Sequence, residues 1–171
     1  THRKVISMKN LYIILLLSFV LSCSSNKVEL KKLENFNSEK YLGKWYEIAR
    51  IDNRFEKNLI NATAEYSLNE DGSIKVVNKG YDKIKNKEKT AEGKAKIIDN
   101  GLLKVYFIPF FGGDYNVLYV DNDYQYAAVG GGTENYLWIL SREQTMENDV
   151  YKKLVDIAQK RGYNTELLQK F

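Results

Sequence analysis

Eight short segments in which apolar and polar residues alternate, separated by turn-forming residues, constrain the fold of this 171-residue chain more than any other feature. A period of two puts one side of each segment on a core and the other toward solvent, which is the pattern of a half-buried strand. The segments cover residues 44–51, 61–68, 73–81, 89–98, 102–108, 114–120, 124–129 and 136–141. Between them, Asn69-Glu-Asp-Gly72, Asn100-Gly101 and Asp121-Asn-Asp123 carry turn chemistry, and Asn100-Gly101 predicts a type I′ hairpin. The fold class is therefore all-β. Eight antiparallel strands joined by hairpins close most simply into an up-and-down β-barrel, with a two-sheet sandwich as the alternative.

One α-helix is predicted after the strands and packed on their outside. Thr145 can cap it, Glu147 and Asp149 suit its first turn, and Gly162 can end it. Met146, Val150, Leu154, Ile157 and Ala158 recur at helical spacing and need a surface to cover. Tyr46 and Ile48 in the first strand share a face, as do Leu137 and Ile139 in the last. Closing a barrel pairs those two strands, so their outer apolar residues form one patch for the helix.

Before the strands, Met8 and Lys9 precede the eleven-residue apolar run Leu11-Tyr-Ile-Ile-Leu-Leu-Leu-Ser-Phe-Val-Leu21, and the small Ser22 follows. This is the three-part form of a secretory leader, and it falls short of the ~20 apolar residues that span a bilayer. Val20-Leu21-Ser22-Cys23 resembles a bacterial lipobox, which implies cleavage before Cys23 and attachment of acyl chains of the palmitate class to it. Ser24 behind the cysteine, rather than Asp, implies sorting to the outer membrane, lipid-anchored and facing the periplasm. The chain is thus expected to divide into upstream residues and signal peptide (1–22), a lipidated cysteine with a polar tether (23–35), and a barrel domain (36–171).

Removing 22 of 171 residues leaves 149, enough for one domain with a substantial core. The leader holds Arg3, Lys4 and Lys9 and no acid, so 23 of the 26 basic residues remain against 22 acids. That near-neutral, mixed surface carries no nucleic-acid footprint. The only histidine is His2 and the only cysteine is Cys23. Ser–His–Asp, Cys–His and histidine-ligated metal chemistry are therefore outside the reach of one mature subunit. No catalytic residue, metal or cofactor is expected, and the reading moves from catalyst to container.

Three motifs then point to a family. Gly43-Lys-Trp-Tyr-Glu-Ile-Ala-Arg50, Val120-Asp-Asn-Asp-Tyr-Gln-Tyr126 and Leu137-Trp-Ile-Leu-Ser-Arg142 resemble, in order, the three lipocalin signatures. Asn53-Arg-Phe-Glu-Lys57, Asn78-Lys-Gly-Tyr81, Ala91-Glu-Gly-Lys-Ala95 and Pro109-Phe-Phe-Gly-Gly-Asp-Tyr115 are similar to the bacterial outer-membrane lipocalins related to apolipoprotein D. The likeness covers residues 36–171. It implies a barrel closed at one end, a carboxy-terminal helix on its side, and binding and transport of fatty acids or lysophospholipids in the cell envelope. It also implies that Trp45 packs under Arg142 as a structural plug at the closed end, by a cation–π contact.

If Trp45 faces inward as its signature role implies, parity turns Ala49, Ala64, Tyr66, Leu68, Ile74, Val76, Asn78, Leu103, Val105, Phe107, Tyr115, Val117, Tyr136, Trp138 and Leu140 inward too. Tyr66, Asn78, Val105, Phe107, Tyr115, Val117, Tyr136 and Trp138 are the expected ligand-binding residues. Small inward residues (Ala49, Ala64, Gly93, Ala95) favour a cavity over a core filled by aromatics. Glu47 shares the parity of Trp45, and a buried carboxylate needs a base, a polar ligand head or water beside it. The mouth should be ringed by the connections after the first, third, fifth and seventh strands. There, Phe110 and Phe111 on one, with Arg54, Phe55 and Lys57 on another, are placed to touch a membrane or grip a lipid head. The expected partners are a single-chain lipid and, through the anchor, a membrane, with a monomer or a homodimer equally compatible. A lipocalin-fold enzyme using Glu47 beside a tyrosine, a binder of haem or another hydrophobic ligand, and a purely structural envelope protein are the alternatives.

Overall fold

The computed structural model describes residues 25–171; the leader and Cys23 lie outside them. A one-turn helix, α1 (Ser38–Tyr41), leads into β1 (Gly43–Ile51), β2 (Leu59–Leu68), β3 (Ile74–Asp82), β4 (Lys87–Asp99), β5 (Leu102–Ile108), β6 (Phe111–Val120), β7 (Tyr126–Gly130) and β8 (Leu137–Ser141). Helix α2 (Asn148–Lys160), a single 3₁₀ turn and the short β9 (Leu168–Lys170) complete the chain. Every neighbouring pair of strands is antiparallel. Because β1 pairs with both β8 and β2, the sheet returns on itself and closes a barrel. The barrel expected from the alternating segments is observed, and the sandwich is not.

The ninth strand was not expected. Strand β2 stays beside β1 only as far as Tyr46, paired with Thr63. Beyond it, Ala49, Arg50 and Ile51 pair with Lys170, Gln169 and Leu168. The last residues therefore complete the wall where β1 and β2 diverge.

Two bodies of apolar side chains hold the molecule. Inside the barrel Trp45, Tyr66, Val76, Leu103, Val117, Val129 and Leu140 form one buried cluster. Outside it Ile48, Leu137, Ile139, Leu118 and Ala128 are covered by Leu154 and Ala158 of α2, the patch that the paired first and last strands should make. Tyr163, just past α2, donates its hydroxyl hydrogen to the Gly131 carbonyl at 2.8 Å. A Cβ on Gly130 would stand 2.1 Å from the same ring, so only glycine admits this docking.

Several local expectations are corrected. The helix begins at Asn148 with Glu147 at its cap position, so Thr145 does not cap it. Only Gly101 of Asn100-Gly101 has positive φ, at 70°. A type I′ turn needs both residues there, and a register shift between Ile97 and Asp99 accommodates the connection instead. Strand β6 starts at Phe111 rather than residue 114, which shrinks the β5–β6 connection to Pro109 and Phe110. Residues 26–33, expected as part of a tether, lie against the barrel. Lys27 bridges Thr133, and the Leu33 amide donates to the Asn100 carbonyl at 3.0 Å.

Candidate functional site

The closed end of the barrel is built around Trp45, which is fully buried. Its indole N–H donates to the Tyr41 carbonyl at 2.9 Å, and the Arg142 guanidinium lies 3.9 Å from the ring centroid. Arg142 also donates to the carbonyls of Lys44, Lys40, Leu42 and Tyr124 at 2.8–3.1 Å. One planar fork thus ties the end of β8 to α1, the start of β1 and the β6–β7 connection.

Above that floor lie three linked hydroxyls. Tyr115 bonds Tyr41 at 2.7 Å and Tyr66 at 2.9 Å. Burial pushes the Tyr66 hydroxyl up to about 12 and raises those of Tyr41 and Tyr115 as well. The three are neutral hydrogen-bonding groups near neutral pH and not bases. Tyr66 and Tyr115, expected to orient a ligand, thus spend hydrogen bonds on each other. Tyr41 is a participant that strand parity could not indicate, because it belongs to α1.

Higher on the wall the alternation breaks. A bulge between Glu47 and Ala49 turns Ala49 outward beneath α2, against the expectation that it faces the lumen, and brings Arg50 inward opposite Trp138. The base that Glu47 requires is this Arg50, whose Nη1 donates to Glu47 Oε1 at 2.5 Å. Its Nη2 donates to the carbonyls of Glu56 and Leu59 at 3.0 and 2.8 Å, and the Phe171 ring lies 4.4 Å away. Glu56 accepts from Trp138 Nε1 at 2.9 Å and from Asn53 Nδ2 at 2.6 Å. Burial, and then the neighbouring Glu56, raise Glu47 to about 8. Arg50 was missed as a lumen residue because a bulge leaves no mark in an alternating pattern, and Glu56 because it lies on the β1–β2 connection, where strand parity gives no direction. Their presence in two of the quoted motifs was the available signal.

The remaining expected residues line the barrel in layers. Val117 is fully buried, while Val105, Tyr115, Tyr136 and Trp138 keep part of their surface accessible. Tyr136 precedes β8 and stacks on Trp138 with centroids 6.2 Å apart. Phe107 lies over Gly93, where a Cβ would approach its ring to 2.8 Å, and is 43% exposed near the mouth. Asn78 points a buried side-chain oxygen with no partner among the described residues. Leu68 is exposed, contrary to its parity, because it ends β2 beyond the closed end. The lining side chains are thus buried toward the closed end and partly exposed toward the mouth.

At the mouth, Asp82 anchors the β3–β4 connection by accepting from the amides of Ile84 and Lys85 at 3.1 and 3.0 Å and pairing with Lys89 at 2.8 Å. The Lys89 bond and those amides hold its carboxyl down at about 2. Among the described residues no cluster of candidate metal ligands occurs.

A floor with a cation over its tryptophan, a closed barrel lined mainly by apolar and aromatic side chains and a lateral helix define an architecture with known relatives. The family model described as a lipocalin-like domain matches residues 36–171. The chain belongs to the lipocalin-like family. A lipocalin named outer membrane lipoprotein Blc from Vibrio cholerae is 39% identical over 94% of this chain and 96% of its own length. The protein of the same name from Escherichia coli K12 is 42% identical over 85% of each chain. Mouse apolipoprotein D is 35% identical over 78% of this chain and 75% of its own. Among solved structures, the cockroach allergen Per a 4 superposes with a TM-score of 0.66 at 22% identity, covering 85% of this chain and 93% of that one. Lobster apocrustacyanin A1 gives 0.66 at 19% identity over 78% of each chain. At those identities the two structures establish the lipocalin fold alone.

Proposed function

We propose that this lipocalin is a membrane-anchored binder and carrier of single-chain lipids, fatty acids or lysophospholipids, in the cell envelope, and that it performs no catalysis. The observation that carries the reading is the barrel lining, mainly apolar and aromatic, buried at the floor around Trp45 and partly accessible at Val105, Phe107, Tyr136 and Trp138. Burying sixteen methylenes there gains roughly 13 kcal/mol before association costs. Subtracting about 4–15 kcal/mol for lost freedom leaves micromolar affinity within reach, suited to a carrier that must release. Tyr66, Asn78, Val105, Phe107, Tyr115, Val117, Tyr136 and Trp138 form the proposed contact set, and the Trp45–Arg142 pair is proposed as a structural plug.

Cleavage of residues 1–22 and lipidation of Cys23 are part of the same proposal, supported by the lipobox-like sequence and by relatives named outer membrane lipoprotein. More than one acyl chain is needed for stable anchoring. Localisation follows as the outer membrane, periplasm-facing. Native mass spectrometry of the full chain released from detergent, challenged with palmitate and lysophosphatidylethanolamine, tests the ligand. One lipid of either class per barrel is expected. Retention of neither, with retinoid or haem held instead, overturns the assignment.

A further inference from the structure

The first described residues are held against the barrel. Asn26 donates from its backbone and side chain to the Glu134 carboxylate at 3.0–3.2 Å, and the Glu134 amide returns a bond to the Asn26 carbonyl at 3.0 Å. The Val28 amide donates to the Gly132 carbonyl at 3.2 Å. Glu134 and Gly132 belong to the β7–β8 connection, on the rim of the mouth. From there the strand of chain descends to Leu33, which is bonded at the β4–β5 turn by the closed end. Cys23 stands three residues before Asn26, a reach of at most about 11 Å. An acyl anchor on Cys23 is therefore confined to the mouth end of the barrel.

The same end carries the three most exposed large apolar side chains among the described residues, Phe110, Phe111 and Ile84. Phe55 on the β1–β2 connection, Ile84 on β3–β4, and Ile108, Phe110 and Phe111 at the β5–β6 hairpin are all exposed, Phe110 at 97%. Three different connections contribute, so this is a ring of tips and not one stray residue. Around them Arg54, Lys57, Lys83, Lys85 and Lys87 are exposed and form no ion pair among the described residues. Apolar tips within a basic collar match the interface of an anionic leaflet, where acyl boundary and headgroup charge are met together. Asp82 gives the Ile84 tip a fixed turn rather than a loose one.

We propose that residues 26–33 act as a strap that fixes the anchor beside the mouth, so that the ring of apolar tips docks into the anchoring leaflet and the lumen opens onto lipid rather than onto water. The occupant of this surface is the bilayer itself. The inference rests on the lipidation and lipid-carrier reading above, and it adds an orientation and an exchange route that those do not require.

The test uses the full acylated chain, reconstituted in vesicles of phosphatidylethanolamine and phosphatidylglycerol, with a nitroxide attached through Phe110→Cys or, at the closed end, through Asn122→Cys. Both positions are exposed, and a circular dichroism spectrum and melting temperature matching the parent chain report that each variant's barrel is intact. At position 110, collisions with an aqueous nickel chelate should fall several-fold and collisions with oxygen should rise. At position 122 the probe should stay in water. An aqueous probe at 110 in a chain that still takes up lysolipid overturns the docking and spares the carrier. An immersed probe in a chain that takes up no lipid supports the docking and rejects the carrier. Spin–spin broadening between labels at 110 would show a second copy on this face, and a mass lacking acyl chains on Cys23 would remove the anchor. Either result overturns the proposal.

Discussion

Glu47 binds its proton more tightly in the folded chain than out of it. Its carboxyl is raised from 4.5 to about 8 by burial and by Glu56. Stability from this group is complete below about pH 4.5 and declines as pH rises toward 8, because the unfolded chain releases the proton first. Glu47→Gln should therefore flatten the fall in melting temperature between pH 5 and 8 by several degrees, about 1 kcal/mol being worth roughly 2–4 °C in a chain of this size. Calorimetry at both pH values checks this, and parallel profiles would reject it. Arg142→Lys removes a fork that reaches four carbonyls and an indole ring. A loss of roughly 1–3 kcal/mol is expected, read as a lower urea midpoint with an unchanged slope. At this scale parity in the sequence was informative where strands are regular, as for Tyr66, Val117 and Leu140. It failed at Ala49 and Arg50, because one extra residue in a bulge inverts every side chain after it.

The strands were legible because each alternates over at least five residues between turn formers, and the helix because its stripe must be covered. Strand β9 was not, since three residues carry no period and its partner edge exists only where β2 leaves β1. Helix α2 docks through two fully buried side chains, Leu154 and Ala158, so each should matter. Leu154→Ala removes a fully buried side chain between helix and barrel and should cost about 2–5 kcal/mol. Gly130→Ala drives a methyl into the Tyr163 ring and should lower the melting temperature while leaving the lumen unblocked. Equal loss of lipid uptake in both variants, with full folding retained, would mean that the outer docking governs the interior.

As a whole the molecule separates a buried base from a partly exposed top, and its two tryptophans report on them separately. Trp45 is sealed in the base and Trp138 stands on the lumen wall. A brominated fatty acid should quench the fluorescence of Trp138 and leave Trp45 unaffected, a difference that Trp138→Phe isolates. Saturation at about a hundredfold over the dissociation constant adds about 2.7 kcal/mol, or roughly 5–10 °C in melting temperature. Quenching of both indoles alike would place the lipid elsewhere. Deep in the barrel, the tyrosine trio has three hydrogens for two bonds. One hydrogen is always surplus, and reversing the order of donation moves it from one end of the row to the other. The bottom of the vessel can thus answer an incoming atom with a lone pair or with a proton.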